Sequence, residues 1–489
     1  MHSQFASWTI GASLLALSGC ASLIKVPPAE SVVPQAVVPV QADFSTYAPD
    51  QLPATDWVAT FDDARLSALV AQAVERNTTV RASLFAVDAA LAGVDVAAAD
   101  RLPSVGASAG LSRRQRFQNG TFLVNGVPVS SGQPLGQTSF AAGLNSSWEP
   151  DFWGRIGDRI DAAELDVDAT EADLAAARLS VTGQVALGYF DLIEARQLVE
   201  LSVRDVETQR RSLRLTERRF ESGLTGSSDV RLARSTLAQS EALQASREQQ
   251  LGVLRRRLEV LLRDYPSDTL DVPLSLPALP PLSGAGLPGE VLARRPDLIA
   301  QEARLYAQGV QVDLARKALL PSLSLTGSFN DNSTNFADFF DLESLVANLA
   351  SNLSAPIFQN GRLEANVERQ RAVLGQLTER YAGTALQAFS EVEDALAAES
   401  KLAAREGALE VALSEARRAE ERLELRYTEG LATILQLLDA QSRRLSAEGQ
   451  LITARAERLA NRVRLHVALG GGGGPADFIN ADAARQVTP

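Results

Sequence analysis

Side chains able to do chemistry are scarce in this 489-residue sequence. It holds two histidines, His2 and His466, and one cysteine, Cys20. His2 falls in a leader-like stretch, which leaves one imidazole and one thiol. That excludes His-dependent triads of the usual kind and His/Cys zinc clusters. No glycine loop followed by lysine is present to cradle a phosphate. Paired carboxylates stay open, because acids are spread along the whole chain. The sequence therefore points away from an enzyme, with no cofactor and no metal expected. His466 sits near a helix end on an apolar stripe that runs through Leu459, and reads as a packing or capping residue. Asp229 and Asp439 follow two isolated glycines, Gly223 and Gly430, and have plain readings of their own. Asp229 has the place of a first-turn acid stabilised by the helix dipole. Asp439 lies further into its helix, where a solvated face is the plain reading.

The two glycines belong to a duplication. Gly154 and Gly361, Gly223 and Gly430, and Ala233 and Ala440 are each 207 positions apart. Each glycine, able to take left-handed dihedrals, separates two long helical stretches and reads as the bend of an α-hairpin. Residues 156–222 and 363–429 are 67 residues each, rich in Ala, Leu, Arg and Glu. At about 1.5 Å per residue such a helix spans about 100 Å. The returning arms run to near Arg263 and Gly470. Apolar residues recur by sevens, as in Leu431, Leu438, Leu445, Ile452 and Leu459, and in Val206, Leu213 and Phe220. A sustained sevenfold repeat specifies left-handed supercoiling against other helices. A long soluble coiled coil satisfies this pattern by itself.

The first residues set the compartment. Residues 1–19 read as a secretory signal peptide, with an apolar stretch from Ile10 to Leu17 and small residues before Cys20. Leu17-Ser18-Gly19-Cys20 resembles the bacterial lipobox, which implies cleavage before Cys20 and lipidation of its thiol, although residues 1–9 lack Lys and Arg. The alternative is a plain signal peptide with an incidental cysteine. Ala21 follows rather than aspartate, which implies the outer membrane. No later run of 18 apolar residues exists, so no transmembrane helix is expected. The net charge of −13 argues against a nucleic-acid surface. The expected divisions are a lipidated tether over 20–60, a first repeat over 61–263, a Pro-rich connector over 264–288, a second repeat over 289–470 and a tail over 471–489. Each repeat opens with a helix, about Asp62–Asp100 and Gly289–Leu319, that stops before Pro103 or Pro321.

After each proline the period changes to two. Val105, Ala107, Ala109 and Leu111 alternate with Ser and Gly, and 139–148 alternates in the same way, with Phe140, Leu144 and Trp148 on the apolar side. The second repeat matches this with Leu323, Leu325 and Phe329, then Leu345, Leu349 and Leu353. These predict four strands of about ten residues, each with one apolar and one uncharged polar face. Between the first two, Phe117–Gln137 reads as a Gly/Pro/Ser/Asn-rich loop. Half-buried soluble strands alternate likewise, but so do membrane strands. In hydrocarbon every backbone group must be paired, and four strands cannot close a barrel. Three copies would supply twelve.

Taken together, Phe152-Trp153-Gly154-Arg155, Leu292-Ala293-Arg294-Arg295-Pro296-Asp297-Leu298, Leu320-Pro321-Ser322, Tyr427 with Gly430, and Leu438-Asp439-Ala440 resemble the TolC-type outer-membrane factors. Within these, the lipobox matches the NodT-like lipoprotein branch that serves resistance-nodulation-division (RND) pumps. The resemblance covers essentially the whole mature chain. It implies a homotrimer with a 12-stranded outer-membrane β-barrel continued by an α-helical coiled-coil barrel through the periplasm. It implies an exit duct of a tripartite efflux system, with a periplasmic adaptor (membrane fusion) protein and an inner-membrane RND pump as partners. Carried over by position, Gly223, Leu224, Thr225, Gly430, Leu431 and Ala432 form adaptor-contacting tips, and Asp229 and Asp439 line the lumen as a periplasmic gate. Two positions depart from the pattern, Gln436 where some members have aspartate and Ala432 where some have a latching arginine. Arg231 and Arg426 are the candidates to replace that arginine. A type I protein-secretion duct and a lipid-anchored periplasmic coiled-coil scaffold are the alternatives.

Overall fold

The structure is a computed structural model that describes residues 38, 40–41, 43–45, 56–116, 121–130, 135–282, 284–334 and 345–471. Cys20 and most of the tether lie outside the described residues. The chain divides into two compact units, one within Ala89–Val167 and Arg304–Leu377, the other within Ala36–Asp88, Asp168–Ala303 and Thr378–Pro489.

The first unit contains the sheet. Strands β1 (Ser104–Arg116), β4 (Leu135–Trp148), β5 (Ser322–Ser333) and β6 (Leu345–Ser354) pair antiparallel in the order β1-β4-β5-β6. Directly opposed residues share a face. One row across all four strands is Ala107, Leu144, Phe329 and Ala347; its neighbour on the opposite face is Gly106, Asn145, Ser328 and Asn348. Over the predicted spans the alternation thus aligns into one apolar and one uncharged polar surface; beyond them Arg114 and Arg116 fall on the polar side and Arg113 and Asp331 on the apolar side. The strands run longer than the sequence pattern, into Arg113, Arg114 and Arg116 of β1, because ladder pairing continues past the last apolar residue. Within the expected loop, β2 (Thr121–Val124) and β3 (Val127–Ser130) form a hairpin. Its turn is Asn125-Gly126, both with positive φ (52° and 79°), the two-residue turn that matches strand twist.

The helical elements are α1 (Ala64–Arg76), α2 (Thr78–Ala99), α3 (Arg155–Glu221), α4 (Ser227–Leu261), α5 (Pro288–Arg294), α6 (Pro296–Lys317), α7 (Arg362–Thr428) and α8 (Ile434–Ala468). Helices α3 and α7 each have 67 residues, and α4 and α8 each have 35. The opening helix of each repeat, expected to be continuous, is broken at equivalent places, Asn77 and Arg295. Asn77 is buried, donates from Nδ2 to Leu261 O at the end of α4 (2.8 Å) and accepts from Thr79 N (2.8 Å). Arg295 precedes a proline and is extended there, as the proline ring requires. It donates to Ala468 O at the end of α8 (3.3 Å) and pairs with Glu391 (2.6 Å). In both repeats the break satisfies an orphan carbonyl of the returning helix, the group a helix end leaves without a partner.

Helix α2 differs from expectation in another way. It is long and apolar enough to cross a membrane by length and composition, although its apolar residues are interrupted by Arg81, Asp88 and Asp95. Phe85, Leu91 and Val96 on it are exposed in the single chain.

The main core of the second unit joins Trp57, Phe61, Leu66 and Leu69 to Tyr189, Phe190, Ile193, Leu258 and Val463. It begins at Trp57, inside the stretch read as tether. Val38 and Phe44 of that stretch also pack on small clusters around Leu298 and Val392. Asp63 caps α1 by accepting from Arg65 N and Leu66 N, and it accepts the Tyr189 hydroxyl proton bond at 2.8 Å. His466 is buried, 2% exposed, and stacks on Trp57 with ring centroids 5.3 Å apart. This is the packing role read from its position.

Candidate functional site

The two hairpin turns are built alike. In each, a six-to-one bond closes the helix, Leu224 N to Arg219 O (2.8 Å) and Leu431 N to Arg426 O (2.7 Å). The residue between them is the left-handed glycine, Gly223 at φ 67° or Gly430 at φ 79°. An alanine there would adopt a conformation that L residues rarely take, so glycine is required by the bend itself.

Past the bend the copies differ. In the second, Thr433 caps α8 with a reciprocal pair, Gln436 N to Thr433 Oγ1 (3.3 Å) and Thr433 N to Gln436 Oε1 (3.0 Å). Gln436, noted for replacing an acid, is thus the partner residue of a capping box. In the first, Gly226 supplies no side-chain cap, and half-buried Asp229 stands in the first turn of α4. Thr225 Oγ1 donates to Asp229 Oδ2. A carboxylate at a helix N-terminus is stabilised by the dipole, so Asp229 has the place of a first-turn acid. Asp439 is exposed and pairs with Arg443 one turn on (2.8 Å), which holds the guanidinium pKa above its ordinary value.

Leu224 and Leu431 point outward, 67% and 63% exposed, with Leu425 and Leu435 also uncovered. Ala432 packs against Tyr427, Ile434, Leu437 and Leu438. The sevenfold row therefore begins uncovered at Leu431, is buried at Leu438 and Leu459, and is half-buried at Leu445 and Ile452 between them.

One residue that sequence reasoning missed binds the hairpins together. Arg219 donates to Tyr427 O (2.9 Å), and its guanidinium lies over the Tyr427 ring at 5.0 Å from the centroid. Thr216 Oγ1 meets the Tyr427 hydroxyl at 3.0 Å, both buried. Arg426, a candidate latch, instead donates to Leu431 O inside its own turn (3.2 Å).

Further from the turns a polar layer crosses all four long helices. Asp205 of α3, 1% exposed, accepts from Ser240 of α4 (2.7 Å). Arg444 of α8 lies 4.0 Å from Asp205, 2.6 Å from Glu420 of α7 and 3.3 Å from Glu448. Burial pushes the Glu420 carboxyl up, and the Arg444 charge opposes that only in part. Gln441 donates to Ser212 across the same seam (3.0 Å).

The sheet offers the other functional surface. Val105, Leu111, Phe329, Leu349 and Leu353 are exposed on its apolar face. Its opposite face is a ladder of small polar groups, with hydroxyl contacts between Ser104 and Ser147 (2.8 Å) and between Ser112 and Ser139 (2.7 Å). β1 and β6 each pair on one side only among the described residues.

Comparison with known proteins shows the family. A family model described as outer membrane efflux protein matches residues 69–262 and 287–471. The pyoverdine export outer membrane protein OpmQ of Pseudomonas putida is 32% identical over 468 residues, covering 94% of this chain and 96% of the relative. A probable outer membrane lipoprotein, SilC of Salmonella typhimurium, is 26% identical over 465 residues, covering 94% and 97%. Among solved structures, the outer-membrane channel OprN superposes with a TM-score of 0.77 at 28% identity, covering 90% of this chain and 98% of that one.

Proposed function

Because the chain belongs to the outer membrane efflux protein family, we propose that three copies of it join into one exit duct, fed by a periplasmic adaptor and an inner-membrane pump of the RND class. The family function is outward passage of solutes across the outer membrane. The observation that carries the trimer is the sheet. Over their predicted spans its four strands present one apolar and one uncharged polar face, and they leave two edges open, whereas a sheet in hydrocarbon must close. Three such sheets make twelve strands, with the Ser/Asn/Gly face lining the pore. The exposed apolar residues of α2 are suited to burial against a neighbouring copy.

Asp229 and Asp439 are the proposed gate. Repeated three times around an axis, each would place a ring of carboxylates at the constriction, favouring cations. Leu224 and Leu431 beside Gly223, Thr225, Gly430 and Ala432 are the proposed adaptor contacts, since large uncovered side chains at a turn suit a partner. Cys20 is the proposed point of lipid attachment, which adds a modest anchor, about 0.8 kcal/mol per buried CH₂. A soluble scaffold fits poorly, because it would leave the apolar sheet face in water.

Cross-linking in intact cells tests the assembly. The expected products are a three-copy species and its conjugate with an adaptor. Leu224→Asp combined with Leu431→Asp should lose the adaptor conjugate and keep the three-copy band. Adaptor capture that survives both changes would remove the tip assignment.

A further inference from the structure

The polar layer that crosses the four long helices has a single inner cation, and that cation faces acids on both hairpins. The side chains of Arg444, Glu420 and Glu448 are 12%, 13% and 11% exposed, and that of Asp205 is 2% exposed. The three nitrogens of the Arg444 guanidinium point at three carboxylates. Nε bonds Glu420 of α7 (2.6 Å), Nη1 lies 3.3 Å from Glu448 of α8, and Nη2 stops 4.0 Å from Asp205 of α3. Arg204 of α3 and Arg417 of α7 stand at the rim, more than half exposed, and both pair with Glu448 (3.1 and 3.2 Å). From α4, Ser240 touches Asp205 and the Arg247 charge acts on it. Glu424 of α7 adds negative charge beside Glu420. Glu420 and Asp205 therefore compete for one guanidinium.

The two acids are held unequally. Asp205 accepts from Ser240 Oγ (2.7 Å) and from Gln209 Nε2 (3.4 Å). Glu420 accepts from Arg444 alone among the described residues. Hydrogen bonds to a carboxylate favour its charged form, so a proton entering the layer goes to Glu420. Burial acts in the same sense, holding the Glu420 carboxyl above its ordinary value. Once Glu420 is neutral, Asp205 is the charged acid that still lacks a cation at hydrogen-bond distance. The pairing has a direction. Helices α7 and α8 are the arms of the second hairpin, and α3 and α4 those of the first. Bonded to Glu420, Arg444 ties the second hairpin to itself; bonded to Asp205, it would tie the second hairpin to the first.

We propose that this layer is a proton-operated brace between the hairpins: when Glu420 takes a proton, Arg444 shifts to Asp205 and α8 becomes tied to α3. Hairpins tied in this way part less readily, so acid favours the closed duct. That last step rests on the exit-duct reading, whereas the shift of Arg444 does not.

Structures of the full-length protein in detergent, determined by electron cryomicroscopy at about pH 7.5 and about pH 5, test the shift, together with that of Glu420→Gln at about pH 7.5. The 4.0 Å separation of Arg444 and Asp205 is expected to hold in the first and to close to about 2.9 Å in the other two. An unmoved Arg444 in either overturns the proposal. Thermal melts supply a second readout. The folded chain favours the protonated form of Glu420, so its charge costs stability at neutral pH, and that cost fades as pH falls through the raised value. Glu420→Gln should therefore keep or raise the unfolding temperature at about pH 7.5, where Arg444→Ala lowers it. An equal loss in both variants would make Glu420 an ordinary ion-pair partner and the brace wrong. In planar bilayers Glu420→Gln is expected to reduce the open fraction severalfold at about pH 7.5, and an unchanged open fraction removes the regulatory role. Absence of pores from the unmodified protein would instead sink the exit-duct reading, with the shift of Arg444 still decided by the structures.

Discussion

Asp229 and Asp439 have the same carboxylate and are held differently. Asp229 is fixed by Thr225 in the first turn of α4, whereas Asp439 shares its charge with Arg443 on an open helix face. In single-channel recordings, Asp229→Asn and Asp439→Asn are expected to weaken cation preference or alter conductance in at least one case. Arg443→Gln should act in the opposite direction if Asp439 faces the pore. Unchanged currents in both Asp variants would remove the gate assignment. His466 supports a second prediction. Burial, aided by the Arg462 charge, pushes its imidazole down to about 4 from an ordinary 6.5. The folded chain therefore prefers the neutral ring. Its contribution is complete above about pH 6.5 and declines as pH falls from there toward 4, by at most about 3 kcal/mol. Thermal melts between pH 7 and pH 4.5 should show a smaller acid-induced drop for His466→Phe, which keeps the ring on Trp57. An identical drop contradicts the assignment. At this scale the helical stripe marked His466, which the structure buries against Trp57, whereas Asp229 and Asp439 were singled out by the family resemblance and their gate role is a proposal. The sequence did not reveal Arg219, whose partner Tyr427 is distant in sequence, and nothing local distinguishes it from neighbouring helix arginines.

Elements were legible in proportion to how locally they are determined. The 67-residue helices follow from long stretches nearly free of Pro and Gly, and the bends from Gly223 and Gly430. The breaks at Asn77 and Arg295 were not foreseen: Asn77 is settled by a carbonyl at the end of a distant helix, whereas the break at Arg295 was legible in Pro296, which follows it. The β2–β3 hairpin could have been found, because Asn125-Gly126 lies between apolar residues; the surrounding Gly, Pro and Ser masked it. The polar layer at Arg444 is also an element-scale feature, joining α3, α4, α7 and α8. Removing one member of a buried ionic cluster typically costs about 3–5 kcal/mol, against about 0–1 for an exposed pair. Arg444→Ala should therefore lower the unfolding temperature clearly more than Arg443→Ala. Equal shifts would mean that the layer holds nothing together.

The account of the whole molecule turns on closure. Strand pattern and register together show a sheet with two different faces, and the family places that sheet in the outer membrane. What no single chain could disclose is which surface covers the exposed residues of α2, because that partner is another copy under the trimer proposal. The sequence reading expected no transmembrane helix, whereas α2 is long and apolar enough to cross a membrane by length and composition. Its apolar residues are interrupted by Arg81, Asp88 and Asp95, which a run of uninterrupted apolar residues excludes and a hydropathy average does not. The most direct measurement of the central claim combines particle mass with conductance. Purified full-length protein is weighed by light scattering in detergent and then added to a planar lipid bilayer. The account predicts a particle of three chains that opens discrete pores; a single water-soluble chain with no pore would contradict it.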